Sequence, residues 1–453
     1  GPSLLTLPAV YRDLFLKTGK RIEHILDIKP VDPAFNYHFS DGSSVLFPNL
    51  SNPNTYNEIE KSYGLVASNQ WKELIDRAER MWEVSREPFI ESELNSIFSL
   101  LKRKNLLRDI KEIAPFTSLR KLSEKLKLDP HLQMIVDRYA TYSGSDPRKA
   151  PAVLSTITYV EESFGAWHIK GGLGTLATLV HERAEKVGVT FHLNSPVASI
   201  NVKKGKAKGI TLDSGEVIEA DAVIANADAS LIYNILIKGK IRKIKKVRKN
   251  IAKADPSLAG FSLLLGMRKD GSEPLNHHTV LFPKDYDAEF DAIFTHKQPV
   301  AEPTIYICAP RDESMSKDEL LEGWFVLVNA PAHGQESFDW SSAEFARNYA
   351  NTIIDQIEAR GIPVRSRLES MTIRTPADLE SAVRAPGGSI YGTSSNGARA
   401  AFMRAKNRSP IKALYCVGGS AHPGGGLPLV GLSAEMVANA IGSAQSGQPL
   451  KSH

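Results

Sequence analysis

"LYCVGGSAHPGGGLPLVGLSAEMVANAI" (residues 414–441) decides how this chain is read. Leu414 to Val417 is a short apolar run with the character of a strand. Gly418, Gly419, Gly424, Gly425 and Gly426 then remove every Cβ that would hold a flat ligand away from the backbone. From Leu427 to Ile441 apolar and small residues return at helical spacing. A helix N-terminus introduced by glycine offers free N–H groups and the positive end of the helix dipole to a negatively charged group. The segment therefore reads as strand, tight backbone crossing and helix, built around something that lies against it.

The chain has 453 residues, room for two or three domains, and its hydrophobic content of 42% supports a sizeable core. The net charge of +5 is mild. Cys308 and Cys416 lie far apart in apolar runs, with neither metal-ligand spacing nor a disulfide framework. They read as buried thiols in a reducing compartment, which points to the cytoplasm. No run approaches the ~18 apolar residues of a membrane span, and the first residues lack a signal-peptide pattern.

"FNYHFSDGSSVLFP" (35–48) predicts a hairpin turning at Asp41-Gly42. Residues 53–140 are helical in pattern. Within them, Lys102 to Lys127 carries nine basic residues against three acids, threaded with leucine and isoleucine. That stretch is either a solvated helical face or an amphipathic surface for anionic lipid. Residues 166–230 predict a helix over Thr175–Lys186, a strand over "VTFHLNSPVASINV" (189–202) and a hairpin turning at Ser214-Gly215. A second basic run, 238–253, has nine basic residues and no acid, with Ile241, Ile244, Val247 and Ile251 on one face. No nucleic-acid motif accompanies it, so a solvated helix or a second lipid-facing patch is expected and nucleic acid is not. Residues 257–405 alternate strand-like runs with helices such as 343–361, an α+β body with an antiparallel sheet.

Three stretches together resemble the FAD-dependent carotenoid desaturases of the phytoene desaturase type. They are "GPSLLTLP" (1–8), "AWHIKGGLGTLATLVHERAEKVGVTFHLNSPVASI" (166–200) and "VGGSAHPGGGLPLVGLSAEMVANAI" (417–441). Carotene isomerases and retinol saturases are similar over the same stretches. The resemblance implies an α/β fold with a Rossmann-like FAD-binding domain (1–34, 160–235, 406–453), an α+β substrate-binding domain (35–52, 254–405) and a helical, membrane-facing cap (53–159). It implies FAD as cofactor, a phytoene-like polyisoprenoid as substrate and a peripheral membrane location. The backbone of Val197 would lie against the adenine, and Ala225 and Asn226 would end a strand beside the cofactor. Gly418, Gly419, Gly425 and Gly426 would let the flavin approach, with Leu427 and Pro428 starting the helix that faces its pyrimidine side.

The family's opening strand, G-x-G-x-x-G turn, helix and acidic residue have no counterpart here, and no G-x-G-x-x-G occurs in the chain. The chain thus reads as N-terminally incomplete, with an exposed sheet edge and weak or no flavin retention as written. Desaturation sends a hydride to the flavin and a proton to a base. "SGSDPRKAP" offers Asp146 as proton acceptor and Arg148 as its charge partner, or else an Asp-Pro turn with a surface arginine. His422 is placed either at the flavin edge or in a turn, and Tyr159, Trp167 and His168 either in a tunnel wall or in plain core. A flavin amine oxidase and a non-catalytic lipid-binding chain are the competing functions.

Overall fold

In the computed structural model, which describes residues 4–94, 106–271, 273–398 and 400–442, helix α1 (Ala9–Lys17) leads to strand β1 (Ile28–Pro30). β2 (Phe35–His38) and β3 (Ser44–Phe47) form the hairpin expected from Asp41-Gly42. Gly42 takes φ 87°, and Asp41 Oδ1 accepts the Ser43 N–H at 2.9 Å. Helix α2 (Asn52–Phe89) follows and is broken at Gly64, where φ is 88°. α3 (Leu106–Ile113), α4 (Leu119–Lys125), α5 (Pro130–Thr141) and α6 (Thr156–Phe164) complete the helical stretch. Ser118 and Asp129 cap α4 and α5 by accepting backbone N–H groups of Lys121 and His131.

β4 (Trp167–Ile169) returns antiparallel to β1, and α7 (Leu173–Lys186) covers the predicted helix. β5 (Val197–Lys203), β6 (Lys206–Leu212) and β7 (Val217–Glu219) form a small antiparallel sheet that turns at Gly215 as expected. The strand predicted from residue 189 begins only at Val197. Among the described residues nothing pairs with 189–193, where Val189, Phe191 and Leu193 are exposed; a strand needs a neighbour to satisfy its backbone. β8 (Val223–Ala225) precedes α8 (Lys245–Lys253).

The main sheet takes β9 (Ala259–Arg268), β10 (His278–Leu281), β11 (Ile305–Cys308), β12 (Leu321–Ala330) and β13 (Leu368–Arg374), with α9 (Ala343–Ala359) between the last two. Its order is β13-β9-β12-β11-β10-β2-β3, antiparallel except where β10 meets β2. One core joins Phe261, Trp324 and Val326 of the sheet to Ile353 and Ile357 of α9. Another joins Tyr37 and Val280 to Trp71 of α2 and Ile135 and Tyr139 of α5. The helical stretch and the sheet therefore share one apolar interior.

β14 (Leu414–Cys416) lies parallel to β8, and α10 (Leu427–Ile441) closes the described chain. These bounds match the strand and helix read from the opening stretch. Ile224 on β8 is half exposed, so one face of this two-stranded pair is uncovered, whereas parallel strands are normally covered. Val247 and Ile251 of α8, with Ile241 and Ile244, pack inward against the core of β5 and β14. The apolar stripe of the second basic run thus faces protein, and its lysines face outward. In the first basic run, residues 102–105 lie outside the described residues. Among those described, no helix is long and apolar enough to cross a membrane.

Candidate active site

β8 and β14 run in parallel register with Ala225 beside Cys416, so both strands release the chain at their carboxyl ends. Ligands sit at that end in open α/β sheets. There Asn226 meets Gly418: a Cβ on Gly418 would stand 2.3 Å from Asn226 Oδ1, and its φ is 93°. Gly419 passes Gly425, its Cβ position 3.4 Å from the Gly425 Cα. Gly425 lies under Tyr391, where a Cβ would come within 2.3 Å of ring carbon Cδ1. Gly426 is different: it has φ 108°, and nothing lies within 4 Å of a Cβ built on it.

The five glycines were expected to serve one purpose, close approach of a ring. Gly418 and Gly425 instead make room for the protein's own Asn226 and Tyr391. Gly426 leaves open space at the start of α10, where no side chain caps the helix and Pro428 contributes no N–H.

Arg404 fixes this crossing. Its guanidinium donates to the carbonyls of Tyr391 at 2.9 Å, Thr393 at 2.8 Å and Gly419 at 2.7 Å. Burial pulls its pKa down to about 10. His422 is buried beside it, its Nε2 2.9 Å from the Ser92 carbonyl, and it does not line the cavity.

Gly424 to Leu429 floor a cavity of about 440 Å³. α2 and α6 supply one wall through Trp82, Phe89, Ile157 and Val160, and β11 and β12 supply another through Tyr306 and Leu327. The second wall includes the expected "PTIYICAP" strand, while the expected "FSLLLGM" strand (β9) stays in the core behind it. Tyr159, Trp167 and His168 do not line the cavity. His168 instead holds Asp312 through Nε2 at 2.8 Å.

A charged cluster interrupts the mainly apolar lining. Arg138 on α5 is almost wholly buried, with its guanidinium carbon 5.0 Å from the Tyr142 ring centroid, 5.3 Å from Phe35 and 5.6 Å from Tyr306. Its Nη1 donates to Tyr142 Oη at 2.9 Å. Glu161 on α6 accepts from Tyr139 Oη at 2.6 Å and from Tyr142 Oη at 3.3 Å. Burial pushes the Glu161 carboxyl up to about 7, against the opposing pull of Arg138 and the two hydroxyls. Behind it, burial raises Glu162 to about 8 although Trp71 Nε1 donates to it at 2.6 Å.

Asp146 and Arg148, expected to assist the chemistry, are placed elsewhere. Neither lines the cavity. Asp146 is fully buried; its Oδ2 meets Arg148 Nη2 at 2.9 Å and its Oδ1 accepts the Arg148 backbone N–H at 2.9 Å. Arg148 also pairs with Asp291 at 2.8 Å. The carboxylate is turned into its own loop and ion pair, so the Asp-Pro turn describes it, with the arginine half-buried rather than at the surface. Val197 also lies off the cavity, its carbonyl accepting from Arg384 at 3.3 Å.

Arg138, Tyr142, Glu161 and Tyr391 were not singled out from the sequence. The available signal was charge inside an apolar helical face: Arg138 interrupts "IVDRYA", whose neighbours are all buried. Likewise, Cys308 reads as a lone thiol in the sequence. Strand pairing sets it opposite His278, and with His277 these ligand-type atoms lie within 4.8 Å of one another.

Residues 26–255 match the family model described as flavin containing amine oxidoreductase. The chain is 30% identical to the hydroxyneurosporene desaturase of Rubrivivax gelatinosus, over 97% of this chain and 83% of that protein. It is 31% identical to a 1-hydroxycarotenoid 3,4-desaturase of a Flavobacterium species (97% and 88% covered) and 27% identical to a 4,4'-diapolycopene oxygenase of a Methylomonas species (97% and 88%). In fold it resembles a putrescine oxidase variant redesigned for cofactor binding, with a TM-score of 0.63 at 13% identity, covering 97% of this chain and 87% of that one. The cyclohexylamine oxidase of Brevibacterium oxydans aligns with a TM-score of 0.54 at 12% identity (95% and 85%).

The site's own features fit a flavin. Gly426, with nothing within 4 Å of a Cβ built on it, leaves open space beside the uncapped start of α10, near the carboxyl ends of β8 and β14. The chain belongs to the flavin-containing amine oxidoreductase family and is an FAD-dependent oxidoreductase related to the carotenoid desaturases.

Proposed function

We propose that this chain desaturates a long polyisoprenoid of the carotenoid class, phytoene or a more oxidised relative of it. The observation that carries the reading is Glu161, among the described residues the one acidic residue on a mainly apolar lining that runs down to the glycine turn. Converting a CH–CH pair to C=C removes one hydrogen with its electron pair and the other as a proton. FAD, when bound, supplies the two-electron acceptor. Glu161 takes the proton from the neighbouring carbon. Its pKa of about 7 leaves enough carboxylate to accept a proton near neutral pH and enough basicity to hold it. Tyr139 and Tyr142 hold the carboxyl in place, and the apolar walls orient a substrate with no polar handle at its reacting carbons.

Peripheral membrane association belongs to the same proposal, since such a substrate resides in lipid. The outward lysines of α8 supply a basic face without an apolar one, so contact there is electrostatic.

The test is purified chain with excess FAD, removal of unbound cofactor, and a spectrum from about 350 to 500 nm, a range set by flavin absorption. The protein is then mixed with phytoene in liposomes. Retained flavin and a red-shifted, lengthened polyene support the reading. A flavin-loaded protein that leaves phytoene and lycopene unchanged, while oxidising an amine, overturns it.

A further inference from the structure

Beside Tyr306 on the cavity wall lies a side-chain cluster that the desaturase chemistry does not use. β10 opens on two consecutive histidines, His277 just before it and His278 as its first residue. β11 closes on Cys308, directly opposite His278. Ala309 donates its N–H to the His277 carbonyl at 2.9 Å. His278 and Cys308 are therefore the adjacent non-hydrogen-bonded pair, the kind whose side chains stand closer across an antiparallel ladder. The ring of His277 lies 4.5 Å from that of His278, centroid to centroid. Among the described residues these three form the one group of His, Cys, Asp or Glu ligand atoms close enough to share an ion, all within 4.8 Å of one another. His278 is fully buried and Cys308 nearly so. The Tyr306 hydroxyl stands 2.8 Å from His278 Nδ1, whereas the buried His278 Nε2 has no hydrogen-bond partner. A buried imidazole nitrogen without a partner bears its desolvation cost with nothing to offset it.

We propose that His277, His278 and Cys308 bind one Zn²⁺ ion, through a ring nitrogen of each histidine and the sulfur of the cysteine. Two imidazoles and a thiolate suit a thiophilic cation of this kind, whereas calcium and magnesium ask for oxygen ligands. A ligating histidine gives one ring nitrogen to the metal while a neighbour holds the other, the part the Tyr306 hydroxyl plays for His278. Bonds of about 2.0–2.1 Å to nitrogen and ~2.3 Å to sulfur set tetrahedral ligand atoms about 3.3–3.8 Å apart, so side-chain adjustments of about 1 Å close the group. Binding forms the Zn–S bond and breaks S–H, and the thiol proton leaves to water. A water takes the fourth position. The way in passes His277, which is half-buried and meets the ring of half-buried His168 at 4.9 Å. Asp312, held by His168, brings a carboxylate to that entrance. The ion ties β10 to β11 behind Tyr306 and stiffens that wall of the cavity. Zinc binding here needs nothing of the desaturase reading, and its readouts do not use turnover.

In the test, full-length chain with FAD is stripped of metal with EDTA, exchanged into metal-free buffer and titrated with Zn²⁺ against a fluorescent chelator. Bound metal is counted by elemental analysis, and one zinc per chain is expected. Cys308→Ser should weaken binding at least about a hundredfold, since losing even an outer-sphere partner costs roughly 10–100-fold. His277→Gln should do the same, and at its half-buried position it covers the case in which Cys308→Ser fails to fold. Cys416→Ser, at the other buried thiol, should bind zinc as the native protein does. Co²⁺ in place of zinc should show the strong visible bands of a tetrahedral ion and a sulfur-to-cobalt charge-transfer band, read as a difference spectrum against the flavin. The charge-transfer band should vanish in Cys308→Ser. Zinc bound at well below one per chain overturns the proposal. So does zinc held equally by the native protein, Cys308→Ser and His277→Gln, or a weak octahedral cobalt spectrum. Stoichiometric Cu⁺ at these residues with no zinc uptake overturns it too.

Discussion

The ring of Tyr391 occupies the space that a side chain on Gly425 would need: an ideal Cβ there would come within 2.3 Å of Cδ1. Tyr391 cannot easily yield, because Arg404 holds its carbonyl together with that of Gly419. The glycine turn, the tyrosine and the arginine therefore form one unit at the floor of the cavity.

Gly425→Ala is accordingly expected to lower stability by about 1–3 kcal/mol through overpacking and to reduce flavin retention. Thermal melts and the flavin absorbance of washed protein measure both. Adding Tyr391→Ala should recover part of the stability, since it removes the atoms that clash. A double variant no better than the single one refutes the steric account.

Glu161→Gln should keep the flavin spectrum and the binding of polyenes while lowering kcat by about 10²–10⁴-fold, the usual range for loss of a general base. In the native protein kcat should rise with pH through about 7 as the carboxyl ionises. The variant should lose that rise. An unchanged pH profile assigns the proton to another group.

Glu162 gives a test by stability. Its pKa is raised in the fold by burial, to about 8, so the folded protein holds its proton more tightly than the unfolded chain. The contribution is complete below the ordinary carboxylate range and is lost as pH rises through about 8. Glu162→Gln should therefore melt close to the native protein at pH ~5 and above it at pH ~9, because the amide never ionises. Differential scanning calorimetry at both pH values decides the sign.

Asp146 and Arg148 are expected to matter for stability. Arg148→Met leaves the fully buried Asp146 carboxylate without its partner, a loss of about 3–5 kcal/mol for a broken buried pair. Turnover per bound flavin in the surviving folded fraction should stay within about twofold of native, well short of the ~10²-fold of a lost catalytic group. A hundredfold fall in turnover with flavin fully retained would return the pair to the chemistry.

Association with anionic vesicles should be salt-dependent. Replacing Lys245, Lys246 and Lys249 with glutamine should weaken it, at a rough ~1 kcal/mol per basic residue near the surface. Sedimentation with vesicles of mixed neutral and anionic lipid measures it; binding indifferent to salt and to these lysines removes α8 from the interface.

Local pattern was enough for the elements that carry their own instructions. Asp41-Gly42 and Ser214-Gly215 demand turns because of backbone conformations that glycine adopts freely. The run from Leu414 to Ile441 declares strand, crossing and helix through apolar, glycine and small-residue spacing, and its resemblance to the desaturases led to the cofactor. Those signals act over a few residues, so they survive without tertiary context. The strand expected from 189 failed for the opposite reason: apolar alternation makes a strand only where another strand accepts its backbone.

The site's working groups depended on distance in space. Arg138 and Glu161 are 23 positions apart on different helices, bridged by the Tyr142 hydroxyl, and Tyr391 reaches Gly425 from another segment. In the sequence, Asp146-Pro147-Arg148 looked more catalytic because its charges are adjacent. In the fold that adjacency lets the two charges neutralise each other within a buried loop, while the isolated charges of the apolar helices are the ones left facing the cavity. Sequence determined the strand, glycine crossing and helix of 414–441 and, through their resemblance, the FAD-dependent family. Tertiary packing decided which charges remain available to the substrate, because only packing sets which of them find a partner.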